Sequence, residues 1–217
     1  HHALRGEVWD KAVAYLRQAG AKAFTRSANR EAVAYFEQAL VALQHLPESH
    51  GTLTQAIDLR IDLRQSLYPL GEFERILDYL REAETLAKAL GDQHRLGWIA
   101  AYLLNYFFIT GNQDRAIEIG QRALAVAEAV TDIALQVEAS YRLGQAYWSL
   151  GDYRQAIACF ERNVVRLEGD LIRERFGMPG LPSVNSRAWM VWCLAELGEF
   201  NEGRVVAEEG LRIAKEA

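Results

Sequence analysis

The sequence has no excess of positive charge, no long hydrophobic run and few cysteines. Its 217 residues carry 24 Lys and Arg against 29 Asp and Glu, a formal net charge of −5. This balance gives no general affinity for nucleic acid, and no basic run suggests one. There is no secretory apolar region, and no apolar run approaches the roughly 18 residues of a membrane-spanning helix. We therefore expect a cytoplasmic protein with neither a nucleic-acid nor a membrane partner.

Catalytic and metal-binding signatures are also missing. The two cysteines, Cys159 and Cys193, lie in apolar helical patterns without CxxC spacing or a histidine neighbour. This context predicts reduced thiols in the core. No GxxxxGK[ST], HExxH, GxSxG or GxGxxG motif is present, so nothing is arranged to cradle phosphate, hold zinc or activate a serine. We expect no cofactor, no metal and no enzymatic activity.

Proline is scarce, and its distribution favours helix. Residues 70–178 contain no proline and are rich in Ala, Leu, Glu, Arg and Gln, which favour helix. Apolar residues recur at spacings of three and four, and no segment alternates with period two. The stripe is clearest at Leu77, Leu80, Ala83, Leu86, Ala87 and Leu90. The sequence therefore predicts an all-α fold.

A turn signal recurs along the chain at intervals of about 40 residues. A glycine followed by an acidic residue or asparagine interrupts the helical pattern, which then resumes at once. The copies are centred on Gly71, Gly111, Gly151 and Gly198, with a degenerate one at Ser27. Glycine closes a helix because it tolerates positive φ, and the polar residue after it suits the start of the next helix. Each copy therefore predicts a helix-turn-helix repeat.

These repeats predict one domain over residues 1–217. The five repeats are placed at about 8–46, 52–90, 93–130, 133–168 and 183–217, with a long loop at 169–182. A single pair of helices leaves an apolar face exposed, and stacking the pairs buries it. We expect a right-handed α-solenoid of about five repeats.

The fourth copy carries a recognisable set of residues. They are Ser140, Leu143, Gly144, Tyr147, Gly151, Tyr153, Ala156 and Phe160. They resemble the tetratricopeptide repeat, W-x2-L-G-x2-Y, A-x3-F and P, without its first Trp and last Pro. The second and fifth copies depart from it, with Arg60, Arg64 and Arg187 at positions that the pattern keeps small or apolar. The resemblance implies a helical repeat protein that binds other proteins.

A narrower resemblance concerns two segments. HHALRGEVWDKAVAYLRQAG and RERFGMPGLPSVNSRAW are similar to the repeat region of large bacterial signalling ATPases, some of which carry a class III nucleotide cyclase domain. The resemblance implies that this chain is the C-terminal, non-catalytic part of a longer signalling protein.

The repeat register also predicts a binding groove. In this repeat class the first helix of each pair lines the groove. Side-chain amides stand six residues before three turn glycines, and aromatic rings three residues before them. An amide can bond a peptide backbone of any sequence, and an aromatic ring is a good anchor. The predicted groove residues are Gln65, Tyr68, Trp98, Asn105, Phe108, Tyr141, Arg142, Gln145, Trp148 and Trp192.

The leading functional hypothesis is a module that binds an extended peptide or a partner domain in this groove. One alternative is a sensor of a small ligand or signal peptide that regulates an attached ATPase or cyclase. Another is an oligomerisation scaffold, because the last helix keeps Val205, Val206, Leu211 and Ile213 without an evident polar cap. The loop's Phe176, Met178 and Leu181 predict that it packs back onto the repeats. Whether it narrows the groove or is a passive spacer stays open.

Overall fold

A computed structural model describes residues 8–217, which form ten α-helices and no β-strand. The predicted all-α fold is confirmed over this range, whereas the two N-terminal histidines and the rest of residues 1–7 lie outside it. The helices are α1 (Trp9–Thr25), α2 (Asn29–Leu43), α3 (His50–Leu67), α4 (Phe73–Leu90), α5 (Gln93–Ile109), α6 (Gln113–Ala129), α7 (Ile133–Ser149), α8 (Tyr153–Arg166), α9 (Pro182–Glu196) and α10 (Phe200–Glu216). None of these helices combines the length and hydrophobicity needed to cross a bilayer.

The turn between α7 and α8 shows why a glycine and an aspartate stand together. Gly151 has a φ of 77°, a left-handed conformation that costs glycine little. Its N–H donates to the carbonyl of Trp148 (2.9 Å), and the N–H of Asp152 donates to that of Tyr147 (3.0 Å). These bonds satisfy the last carbonyls of α7. The Asp152 carboxylate then accepts from the N–H of Gln155 (3.3 Å) and starts α8.

The same left-handed conformation ends most of the other helices. It occurs at Gly71, Gly91, Gly111 and Gly198, as the turn pattern predicts. Ser27 and Thr131 adopt it without being glycine, with φ values of 60° and 57°. The degenerate first copy therefore keeps the turn geometry at the cost of a strained residue.

The chain divides into two compact units, residues 8–99 and 100–217, with the division inside α5. The first unit has a leucine-rich core that includes Leu59, Leu63 and Leu80. Polar contacts join its helices: the Arg95 guanidinium bonds Asp58 at 2.9 Å, and that of Arg17 bonds Asp62 at 2.9 Å. These ion pairs link α1 and α5 to α3. These pairs are partly exposed, so each contributes little to stability.

The second unit is organised around Phe160 of α8, which is fully buried. Its ring lies 6.0 Å, centroid to centroid, from the rings of Tyr141 and Trp189. Gly144 of α7 allows this approach, because a Cβ there would lie 2.6 Å from the Phe160 ring. The Gly and the Phe of the repeat pattern therefore pack against each other across the paired helices.

The segment between α8 and α9 packs onto this core, as its apolar residues predict. It includes a 3₁₀ turn, Gly169–Arg173, that the sequence did not predict. Met178 is 8% exposed and belongs to the core cluster, and Phe176 packs against it. The Ser183 hydroxyl donates to the carbonyl of Ile172 (2.6 Å) and ties the segment to α9.

Two arginines at the same repeat position differ in their partners. Arg60 and Arg187 each stand eleven residues before a turn glycine, and each bonds the carbonyl four residues earlier, at 2.9 and 2.8 Å. The Arg60 side chain also pairs with Glu82 at 2.8 Å. The residue equivalent to Glu82 is Glu209, whose carboxylate instead bonds Arg212 at 2.8 Å through both oxygens.

Arg187 is therefore a buried guanidinium to which no carboxylate of residues 8–217 is hydrogen-bonded. It is 8% exposed, and burial lowers its pKa. Arg187→Met is expected to leave the free energy of unfolding unchanged or to raise it by about 1 kcal/mol, since it removes a desolvation cost that the Ser183 carbonyl and the charges of Glu209 and Glu168 offset only in part. Arg60→Met should lower it by up to about 1 kcal/mol, because a formed ion pair is lost. Urea unfolding of both variants checks the contrast, and a larger loss for Arg187→Met contradicts it.

Candidate functional site

The predicted groove residues of the second unit lie along the first helices of its repeats. These are α5 from residue 100, α7 and α9, and α7 contacts α9 directly. We call this surface the first-helix face. Its members are Asn105, Phe108, Arg142, Gln145, Trp148, Trp189 and Trp192.

The two amides of this face are more buried than the sequence predicts. Asn105 is 2% exposed and Gln145 is 7% exposed. The Gln145 amide oxygen accepts a hydrogen bond from Arg142 (3.2 Å). The Asn105 amide oxygen is buried with no partner among residues 8–217. Such an acceptor is costly to leave unpaired in the core.

Arg142 is held between its own neighbours on α7. Its Nε donates to Glu138 (2.9 Å), and its guanidinium carbon lies 5.5 Å from the centroid of the Tyr141 ring. The charge of Arg142 is therefore balanced by Glu138 within one turn. Its hydrogen bond to the Gln145 amide oxygen orients that amide.

Three tryptophans form a packed cluster at the α7–α9 end of the face. The ring centroids of Trp148 and Trp189 are 5.1 Å apart, those of Trp189 and Trp192 are 4.8 Å apart, and those of Trp148 and Trp192 are 6.3 Å apart. Trp192 is 54% exposed. The indole nitrogen of Trp148 is buried without a partner in the described part of the chain. The cluster thus offers an exposed ring and an unsatisfied donor.

Trp189 is the member that the sequence reasoning missed. Its indole N–H donates to the Tyr141 hydroxyl (2.9 Å), and its ring stacks on Phe160. It stands three residues before Trp192 on α9, which is the helical spacing that could have revealed it. Tyr141 is only 8% exposed, and burial raises the pKa of its hydroxyl. Tyr141 therefore positions Trp189 from within the core.

The other predicted residues lie in the first unit. Gln65 and Trp98 are half-buried, and Tyr68 is 41% exposed. The Tyr68 ring meets the Phe73 ring edge-on at 6.2 Å, and the Arg64 guanidinium carbon lies 5.5 Å from its centroid. Tyr68 is thus an accessible aromatic side chain, as its place in the repeat predicts.

The first unit also contains a cavity of about 320 Å³. Half of its lining residues are leucines: Leu40, Leu43, Leu46, Leu53 and Leu86. The others are Gln44, Glu48, Thr52, Ala56 and Arg60, so no lining residue is aromatic. A small-ligand sensor would be better served by a closed aromatic pocket, and this cavity is not one.

The cysteines lie away from any reactive arrangement. Cys159 and Cys193 are both free and buried, which confirms the predicted core thiols. Burial raises the pKa of each thiol to about 11, so almost none is thiolate at neutral pH. Among residues 8–217, no three His, Cys, Asp or Glu side chains are grouped to hold a metal ion.

Comparisons with known proteins agree with this architecture. The tetratricopeptide repeat family matches residues 137–162, which contain the residues of the fourth copy. A search of curated proteins finds no match to the sequence. Solved structures resemble the chain closely in fold although their sequences differ.

Three of these structures illustrate the likeness. Aspartyl phosphate phosphatase F from Bacillus subtilis has a TM-score of 0.80 at 18% identity, over 96% of this chain and 52% of its own. The Rap conjugation gene regulator of the plasmid pLS20, in complex with the Phr* peptide, has a TM-score of 0.71 at 16% identity, over 94% of this chain and 53% of its own. The TPR-like repeats of a putative kinesin light chain from Podosopora anserina have a TM-score of 0.71 at 13% identity, over 94% of this chain and 95% of their own. The chain has a tetratricopeptide-like repeat fold, and it spans about half the length of the first two proteins.

Proposed function

We propose that the chain is a non-catalytic interaction module that binds an extended peptide on the first-helix face, as the regulatory part of a larger signalling protein. Helical repeat folds of this kind are typical of protein–protein interaction modules. The similar Rap conjugation gene regulator is in complex with a peptide, although that likeness, at 16% identity, concerns the fold. The regulatory role rests on the resemblance of two segments to bacterial signalling ATPases.

The observation that carries the proposal is a pair of unsatisfied groups of opposite polarity. The amide oxygen of Asn105 needs a donor, and the indole nitrogen of Trp148 needs an acceptor. They lie on the first helices of successive repeats. A peptide main chain offers both N–H and C=O groups along its length. The other two unpartnered buried atoms found in residues 8–217 belong to Thr54 and Gln113, off this face.

Access to these atoms requires a local movement, which forms part of the proposal. Tyr102 and Phe108 lie one turn on either side of Asn105 on α5, and both are half-buried. The proposal requires a shift of one or both of these rings that exposes the amide and keeps aromatic area for the ligand. Aromatic rings at such positions give contact area at a small loss of conformational entropy.

Oligomerisation through α10 is a second candidate with its own supporting observation. Phe200, Val205 and Leu211 are 70%, 62% and 60% exposed. Ile213 of the same helix is buried and Val206 packs against the core. At 100° per residue Phe200 and Leu211 lie on one side of α10, so these two are the apolar side chains that a second copy could cover. This alternative predicts partners that do not depend on the first-helix face.

A peptide selection tests the proposal directly. Peptides are selected on the wild-type protein from a random linear library, and their affinities are measured by fluorescence polarisation. Asn105→Ala combined with Gln145→Ala is expected to weaken binding by about tenfold, because it removes the unpartnered Asn105 oxygen and the second amide of the first-helix face. The matched control is Gln155→Ala with Asn201→Ala, which removes two exposed amides away from the face.

The control pair should bind the selected peptides as the wild type does. Equal affinity for the wild type and both double variants, with circular dichroism showing all three folded, contradicts binding on the first-helix face. It would favour the α10 surface or the segment between α8 and α9 as the site of interaction.

A further inference from the structure

The column of amides on the first-helix face stops at α9. Asn105 and Gln145 stand six residues before Gly111 and Gly151, and the same position before Gly198 is occupied by Trp192. A ligand that follows the repeats therefore meets an exposed indole where the earlier repeats present an amide. The ring is held in place on two sides by Trp148 and Trp189, so it is a fixed surface rather than a freely rotating side chain.

An unpaired carboxylate stands beside this ring. Glu196 follows Trp192 by four residues, so the two side chains lie on the same side of α9. Glu196 is exposed, and within residues 8–217 it makes no ion pair. Two other acidic residues of the second unit are compensated: Glu138 pairs with Arg142 at 2.9 Å, and Glu199 accepts from Arg154 at 3.2 Å.

We propose that Trp192 and Glu196 form a subsite for a basic side chain, lysine or arginine, of the bound peptide. A cation placed over the exposed indole face is attracted by the ring's quadrupole, and tryptophan is the most effective ring for this contact. The adjacent carboxylate supplies the opposite charge and a hydrogen-bond acceptor. The inference rests on the proposed peptide binding and specifies what the peptide must contain.

The geometry favours a cation over a purely apolar anchor. An aromatic or aliphatic side chain would use the indole face but would leave the Glu196 carboxylate next to apolar surface, with part of its hydration removed. A basic side chain covers the ring with its apolar stem and brings its charge to the carboxylate. One residue thus satisfies both groups.

Charge reversal tests the subsite. A random linear peptide library is selected separately on the wild type, on Glu196→Lys and on Glu208→Lys. Glu208 is the matched control, an exposed acidic residue of α10 that has no ion pair within the described part of the chain. The wild type and the control are expected to enrich lysine or arginine at one position of a shared motif. Glu196→Lys should replace it by aspartate or glutamate at that position and keep the rest of the motif.

A second measurement uses a peptide selected on the wild type. Replacing its basic residue by glutamine is expected to weaken binding to the wild type about tenfold, and binding to a Trp192→Leu/Glu196→Gln variant much less. The subsite is overturned if the motif has no position enriched in lysine or arginine, or if that position stays basic in peptides selected on Glu196→Lys. Either result leaves the proposed peptide binding intact. Failure of the wild type to enrich any peptide, or enriched peptides that bind the Asn105→Ala/Gln145→Ala variant unchanged, overturns the proposed peptide binding and this inference with it.

Discussion

Phe160→Ala is expected to lower the free energy of unfolding by about 4 kcal/mol, the range for a buried phenylalanine whose neighbours relax only partly. Phe160 is fully buried, and its ring touches both Tyr141 and Trp189. The truncation leaves a cavity between α7, α8 and α9. Urea denaturation followed by circular dichroism measures the loss of stability.

The matched control for this prediction is Phe200→Ala. Phe200 is 70% exposed at the start of α10, so its truncation removes little buried area. Its effect should stay within about 0.5 kcal/mol. A cost for Phe160→Ala no larger than that of the control would show that the second unit is not organised around this ring.

Gly144→Ala is expected to destabilise the protein by about 2 kcal/mol, although alanine is intrinsically the better helix former. The added Cβ would lie 2.6 to 2.9 Å from three atoms of the Phe160 ring. A fully buried ring has little room to move aside. Gly51→Ala is the control, because there the nearest atom to the added Cβ is 3.8 Å away; it should be neutral or slightly stabilising.

A double-mutant cycle with Phe160→Leu tests the cause. The smaller side chain makes room for the methyl group, so Gly144→Ala should cost less in the Phe160→Leu background than in the wild type. Additive costs within about 0.5 kcal/mol would mean that the glycine is required for another reason. Gly20 and Phe36 repeat the arrangement in the first unit, with a Cβ–ring distance of 2.6 Å.

The turns could be predicted from sequence because they depend on local chemistry. A residue at positive φ favours glycine at any place in a fold, and an Asp or Asn cap acts within three residues. Gly151 and Asp152 therefore identify their turn without knowledge of the rest of the chain. The turn at Ser27 can be predicted only from its register with the other copies, since serine itself does not indicate a left-handed conformation.

The state of the candidate site could be predicted only in part. The register places Asn105, Gln145 and Trp192 at equivalent positions. In the structure they lie on α5, α7 and α9, the first helices of successive repeats. Their burial depends on neighbours from other helices, which the spacing does not contain. Glu209 differs for a local reason: it equals Glu82 in register, but it bonds Arg212, which lies three residues later on its own helix.

The contact pattern of the second unit has a consequence for how it folds. From α6 to α10, each helix packs mainly on the helix before it and the helix after it in the chain. Contacts between segments that are close in sequence form without closing long loops, and such topologies fold quickly. The slower step is the approach of α9 to α7, which must close the longer segment between α8 and α9. The tryptophan cluster, which spans α7 and α9, would therefore be completed late in folding, after the helical pairs on either side of it have formed.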